Sequence, residues 1–114
     1  MKHTMRLNPR PFEMIKNGDK TIELRLYDEK RRSIRIGDEI EFIHVDNDNK
    51  KIKCIVENTY IFDSFKELYK TLPLNKCGYT ETELDDAAYT DMEAYYTIEQ
   101  QRKYGVVGIK IKLL

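Results

Sequence analysis

The sequence predicts an α+β domain: a small mixed sheet or curled barrel with one helical insertion. Three observations carry this. Four segments alternate apolar and polar residues as half-buried strands do, helix-start signatures cluster between Ser64 and Tyr104, and short Gly- or Asn-bearing turns join the strands. Helices set apart between antiparallel strands exclude a doubly wound parallel sheet. At 114 residues the chain makes one domain, 1–114.

The elements follow in order. Thr4–Leu7 reads as a short strand with Met5 and Leu7 inward, and Asn8-Pro9-Arg10-Pro11 opens a helix because proline suits a first helical turn. Phe12 and Ile15 share a face of that helix, which Asn17-Gly18 ends with a left-handed step. Asp19–Tyr27 then alternates, placing Ile22, Leu24 and Leu26 on an apolar face and Thr21, Glu23 and Arg25 on a polar outer one. Asp28–Arg35 reads as a charged loop, and Ile36-Gly37-Asp38 as the turn into a strand over Glu39–Val45. Asp46-Asn47-Asp48-Asn49 is a turn signal, so Lys50–Phe62 is expected to return as the second arm of an antiparallel hairpin.

Ser64-Phe65-Lys66-Glu67 fits a capping box, and Phe65, Leu68, Tyr69 and Leu72 follow at helical spacing until Pro73. Thr80-Glu81-Thr82-Glu83 and Thr90-Asp91-Met92-Glu93 repeat the signature, predicting two more helical pieces, the second running to Tyr104 and capped by Gly105. Val107, Ile109, Ile111 and Leu113 alternate with Lys110 and Lys112 as a closing strand.

Composition bounds the function. Eight Tyr and four Phe, with 40% hydrophobic residues, supply a core despite 35% charged residues. No apolar run approaches the roughly 20 residues of a membrane span, and the first residues lack a signal peptide's apolar stretch, so a soluble cytoplasmic protein is expected. Twenty basic side chains balance twenty acidic ones, which argues against coating nucleic acid by bulk charge, and no DNA-specific signal is present. The distribution is less even: Arg10–Arg35 holds eight bases against five acids, while Glu81–Glu93 holds six acids and no base. Lys30-Arg31-Arg32 with Arg35 would extend a phosphate track or form a solvated loop. Cys54 and Cys77 make no CxxC pair and read as structural thiols, and His3 and His44 have no neighbours suggesting a metal, so no metal or cofactor is expected.

The chemistry-bearing stretch is Gly18-Asp19-Lys20-Thr21-Ile22-Glu23-Leu24-Arg25. A tight turn delivers a Lys, a carboxylate and an Arg within six residues. Glu23 and Arg25 share a face by strict alternation, and Lys20 joins them only if it precedes the regular pairing. From composition alone this is a Glu–Arg pair solvating an exposed strand, worth about 0–1 kcal/mol.

The stretch resembles the GxKxxExR signature of the ASCH domains, members of the PUA-like superfamily. The layout supports it across essentially the whole chain: the strand and helix of Met5–Asn17, Ile36-Gly37-Asp38 with its strand, and the closing strand Val106–Leu113. The resemblance implies a PUA-like mixed or antiparallel barrel of five to six strands with flanking helices. It also implies a side cleft lined by Lys20, Glu23 and Arg25 that binds RNA or a nucleoside- or nucleotide-like small molecule. Thr21, within the motif, and Tyr27, which shares the parity of Glu23 and Arg25, complete the expected ligand contacts. Tyr79, Tyr89, Tyr95 and Tyr96 of the helical excursion would supply stacking if it covers the cleft.

One similar branch, the small 4-acetylcytidine amidohydrolases, has a Lys-Thr-x-Thr-x-Arg motif and a later Glu. This chain keeps Lys20, Thr21 and Arg25 but has Glu23 where that branch has its presumed nucleophilic Thr. As an enzyme it would rely on Lys20, Glu23 and Glu83, although Glu83 also completes a capping box with Thr80. An interaction module built on the acidic Glu81–Glu93 face is a third reading, and the capping signals already explain much of that acidity.

Overall fold

The computed structural model describes residues 1–114. Its sheet holds β1 (Lys2–Leu7), β2 (Ile22–Leu26), β3 (Glu39–His44), β4 (Asn47–Phe62) and β5 (Val106–Leu113), in the order β1-β3-β4-β5-β2. β1 runs parallel to β3 and every other neighbour is antiparallel. The helices are α1 (Pro9–Lys16), α2 (Glu29–Arg32), α3 (Phe65–Thr71) and α4 (Ile98–Tyr104), with three short 3₁₀ segments between α3 and α4. This is the expected α+β architecture, a curled, mixed, five-stranded half-barrel with flanking helices.

β4 makes the curl. Its sixteen residues pair with β3 through the first part and with β5 through the second, and the register shifts between Val56 and Asn58, leaving Glu57 without a β5 partner. A bulge of this kind bends a strand and increases its twist. The two sheet edges, β1 and β2, turn toward one another, and Arg25 Nη2 of β2 donates to the Arg6 carbonyl of β1 at 2.9 Å across the seam.

The curl gives the sheet two apolar layers. Inside, Phe12 and Ile15 of α1 meet Ile40, Phe42, Val107 and Ile109. Outside, Phe65, Leu68 and Leu72 cover Ile22, Leu24, Leu26 and Val106. Each fully buried side chain of this size contributes about 1.5–3 kcal/mol. Leu24 lies opposite Gly108, where a Cβ would stand 2.6 Å from Leu72 Cδ1 and 3.2 Å from Ile22 Cγ2. Gly108→Ala is therefore expected to cost about 1–3 kcal/mol by overpacking. A urea midpoint unchanged from the parent protein would show that Leu72 yields without cost.

Both faces of β2 are thus covered, which corrects the expected polar outer face. Glu23 pairs with Ile109 and Arg25 with Val107, so these side chains point toward the barrel interior, while Ile22, Leu24 and Leu26 face the second layer. Glu23 is only 4% exposed. The reading of a Glu–Arg pair on an exposed strand fails, because the curl of the sheet turns the Glu23 face of β2 inward, beside the layer of Val107 and Ile109.

Other expectations shift locally. The charged loop holds α2, capped by Asp28, which accepts from the Arg31 amide at 3.2 Å. Its bases are committed to the fold: Lys30 donates to the Thr4 carbonyl at 2.8 Å, Arg31 to Asp28 at 3.0 Å, and Arg32 to the Tyr104 carbonyl at 3.1 Å. The hairpin turns tightly at Val45-Asp46, and β4 begins at Asn47, three residues earlier than expected.

The excursion breaks up more than its signatures suggest. Thr80–Glu83 leads only to the 3₁₀ turn Leu84–Asp86. The next turn, Tyr89–Ala94, is capped at Ala88 by Asp91 rather than at Thr90. α4 starts afresh from a Thr97–Gln100 capping box and ends at Gly105, whose φ is +73°. These pieces are too short to carry an apolar stripe, and nucleating a longer helix without one is unfavourable.

Cys54 and Cys77 are buried free thiols, and burial pushes both up to about 11. His3 Nε2 lies 2.8 Å from Asp38 Oδ2, and His44 Nδ1 accepts from the Asp46 amide at 3.1 Å. No cluster of three or more His, Cys, Asp or Glu side chains is placed to hold a metal ion. No helix is long and apolar enough to cross a membrane.

Candidate nucleotide-binding cleft

A tight turn builds the site. α1 ends at Asn17, Gly18 adopts φ +83°, and the amides of Asp19 and Lys20 both bond to the Met14 carbonyl. Lys20 is therefore fixed before β2 begins at Ile22, and it reaches the face of Glu23 despite its opposite parity. Its stem lies against Gly78, where a Cβ would sit 3.5 Å from Lys20 Cδ; Gly78 has φ +116°, which a larger residue rarely adopts.

Lys20 Nζ is 2.7 Å from Glu23 Oε1, and Arg25 Nε and Nη2 are each 2.8 Å from Glu23 Oε2. Burial pushes the Glu23 carboxyl up, but the two cations outweigh it and hold it at about 2. Burial likewise opposes the charge of Arg25, and Glu23 with the Tyr96 hydroxyl raises its pKa on balance. The triad carries one negative and two positive charges, a surplus of one positive charge. Lys20 keeps two N–H groups beyond its Glu23 bond, and Arg25 Nη1 bonds neither Glu23 nor the Arg6 carbonyl.

The triad opens into a cleft of about 380 Å³ between α1, the start of β2 and the helical excursion. Tyr69, Tyr79, Tyr95 and Tyr96 line the excursion side, so this segment forms the second wall. Tyr69 Oη lies 2.8 Å from Tyr79 Oη, which donates to Asp91 Oδ2 at 2.6 Å. At the rim, Glu83 accepts from the Thr80 amide and hydroxyl, both at 2.9 Å, and from Arg10 of α1. The Arg10 hydrogen bond, followed by those from Thr80, holds the Glu83 carboxyl at about 2.

The structure brings Lys20, Glu23 and Arg25 together and sets Glu83 across the mouth, bonded to Thr80 and Arg10 rather than to the triad. Thr21 and Tyr27 lie outside the cleft. The Thr21 amide donates to the Lys76 carbonyl, and the side chain borders a smaller cavity of about 220 Å³ with Lys110 and Lys112. Tyr27 lies past the end of β2, with the Arg32 guanidinium 4.4 Å above its ring. Tyr89 is exposed away from the cleft. Arg6, Arg10, Tyr69 and Asp91 line it without having been singled out. Tyr69 followed the helical spacing of core residues, and only the pairing of β1 with the sheet carries Arg6 to the rim.

Fold and cleft together define a PUA-like α+β domain. The family model for the ASCH domain matches residues 5–114, and the chain belongs to the ASCH domain family. No curated protein matches it. Among solved structures it is similar to the hypothetical protein PH0355, with 36% identity, full coverage of both chains and a TM-score of 0.82. It is also similar to protein PF0455 from Pyrococcus furiosus, with 34% identity over 100% of this chain and 98% of that one, at a TM-score of 0.76. An ASCH protein from Zymomonas mobilis shares the fold at 15% identity and a TM-score of 0.62, over 96% of this chain and 65% of that one.

Proposed function

We propose that the cleft binds a nucleotide unit, either within RNA or as a nucleotide-like small molecule, with its anionic or carbonyl end on Lys20 and Arg25. The observation that carries this is a buried triad with surplus positive charge facing tyrosines across about 380 Å³. That volume suits one base with its sugar. Arg25 Nη1, which bonds neither Glu23 nor Arg6, offers a charge-assisted donor to phosphate, and the tyrosine rings offer faces to a base.

The same geometry weighs against the amidohydrolase reading. Both Glu23 oxygens already accept from cations, and a carboxylate held at about 2 is a weak general base. The Lys20 ammonium, paired at 2.7 Å, is arranged to donate.

Backbone amide NMR titration tests the reading, using nucleoside 5′-monophosphates, a short mixed RNA and 4-acetylcytidine in separate experiments. Shifts are expected at Lys20–Arg25, Gly78 and Tyr95-Tyr96, and Arg25→Ala should weaken binding about tenfold or more through loss of a charge-assisted contact. Shifts confined to Lys51, Lys53, Lys110 and Lys112 would move the interface to the outer sheet face. Conversion of 4-acetylcytidine would make the protein a hydrolase.

A further inference from the structure

The hydrogen bonds on the wall facing the triad have a fixed direction. An ionised carboxylate has no proton to give, so Tyr79 donates to Asp91 over their 2.6 Å separation. A phenol carries one proton, so Tyr79 must accept from Tyr69 over the 2.8 Å between their hydroxyls. The relay thus runs from Tyr69 through Tyr79 to Asp91 and consumes both phenolic protons. The Ala88 amide also donates to Asp91 Oδ2, at 3.2 Å, which keeps the carboxylate in place at the end of the relay. Burial raises both phenols above their ordinary range, Tyr69 to about 12, so the protons stay in the relay at neutral pH.

What the relay has left to offer is one lone pair on Tyr79, the lone pairs of Tyr69 and the unbonded Oδ1 of Asp91. All are acceptors. Tyr95 and Tyr96, further along the same wall, stand outside the relay. Across the cleft, Lys20 and Arg25 offer only donors. A ligand that spans from relay to triad meets acceptors at one end and donors at the other.

We infer that Tyr69, Tyr79 and Asp91 select ligands whose base presents an amino group to the tyrosine wall, so that amino-bearing bases bind in preference to their oxo counterparts. This rests on the nucleotide reading of the cleft and adds the class of base. An oxo group turned toward the same wall would set lone pair against lone pair, and the relay holds no spare proton to relieve it.

Isothermal titration calorimetry of the full chain tests the inference with two matched pairs: cytidine against uridine 5′-monophosphate, and adenosine against inosine 5′-monophosphate. Within each pair sugar and phosphate are the same, so their contacts with the triad cancel. The amino member is expected to bind about tenfold more tightly in at least one pair, as a site built to bond a donor rejects the analogue lacking it. Tyr79→Phe removes one acceptor and frees the Tyr69 proton to turn into the cleft, so the ratio should fall toward unity. Equal binding within both pairs, tighter binding of the oxo member, or a ratio unmoved by Tyr79→Phe would overturn the inference and leave the nucleotide site standing. Failure of all four nucleotides to bind would overturn that site and the inference with it.

Discussion

Replacing Glu23 with Gln is expected to destabilise the fold by about 3–5 kcal/mol, the range for removing one partner from a buried ion pair. Glu23 is 4% exposed, and the side chains of Lys20 and Arg25 are 10% and 15% exposed. Glutamine fills the same space but leaves two cations facing one another without their counter-ion, and desolvation prevents water from making up the loss. A small domain has about 5–15 kcal/mol in total, so this one exchange consumes a large part of it. Urea unfolding at pH 7 measures the change. A loss below about 1 kcal/mol would place the triad in an environment no drier than a surface salt bridge.

The triple replacement Lys20→Met, Glu23→Leu and Arg25→Met separates stability from function. Apolar substitutes for a whole buried ionic cluster are often neutral or stabilising by about 1–4 kcal/mol. Arg25 also ties the β1–β2 seam through the Arg6 carbonyl, which lowers the expected gain, so stability within about 2 kcal/mol of the parent is expected. Nucleotide binding should vanish. A variant that folds well and binds nothing would show that the charges serve the ligand and that the fold does not require them.

The strand carrying the triad shows where the sequence was legible and where it was not. Period-two alternation places Glu23 with Arg25 and Ile22 with Leu24 and Leu26, and the structure keeps both sets. Alternation cannot say which face is buried when both are, because α3 that covers the second face begins forty residues later. Lys20 was legible only as a residue ahead of the strand; that Gly78 and Met14 hold it on the Glu23 side is a tertiary fact. The helix of Phe65–Thr71 had a capping Ser, apolar spacing and a proline stop, and it stands where those signals put it. Between Thr80 and Tyr96 capping signatures stood without an apolar stripe, and the chain forms 3₁₀ turns anchored by Met92 and Tyr96, with an α-helix only from Ile98 to Tyr104. Tyr27 had the right parity but sits beyond the last paired residue of β2, where parity no longer fixes direction.

Acidification is expected to remove about 3 kcal/mol of stability through Glu23 alone, between pH 4.5 and about 2. The carboxyl's ordinary value of 4.5 governs the unfolded chain and its value of about 2 the folded one. Above pH 4.5 both states are ionised and the stabilisation is complete; as pH falls, the unfolded chain takes up the proton first, and the advantage is lost down to about pH 2. Asp38, held at about 2 by His3 and the Arg35 amide, adds to the same limb, as does Glu83 at the solvated rim. Salt separates them. At 0.5 M NaCl the contribution of the Arg10–Glu83 contact should shrink, whereas that of the buried Glu23 should persist. Urea midpoints from pH 7 to pH 2 at two salt concentrations, on the parent protein and the triple variant, measure this. The triple variant lacks the Glu23 carboxyl and should lose less stability in acid by about 3 kcal/mol. Parallel pH curves for the two proteins would mean that Glu23 titrates alike in the folded and unfolded chain, and the buried ion pair would then contribute nothing to holding β2 in place.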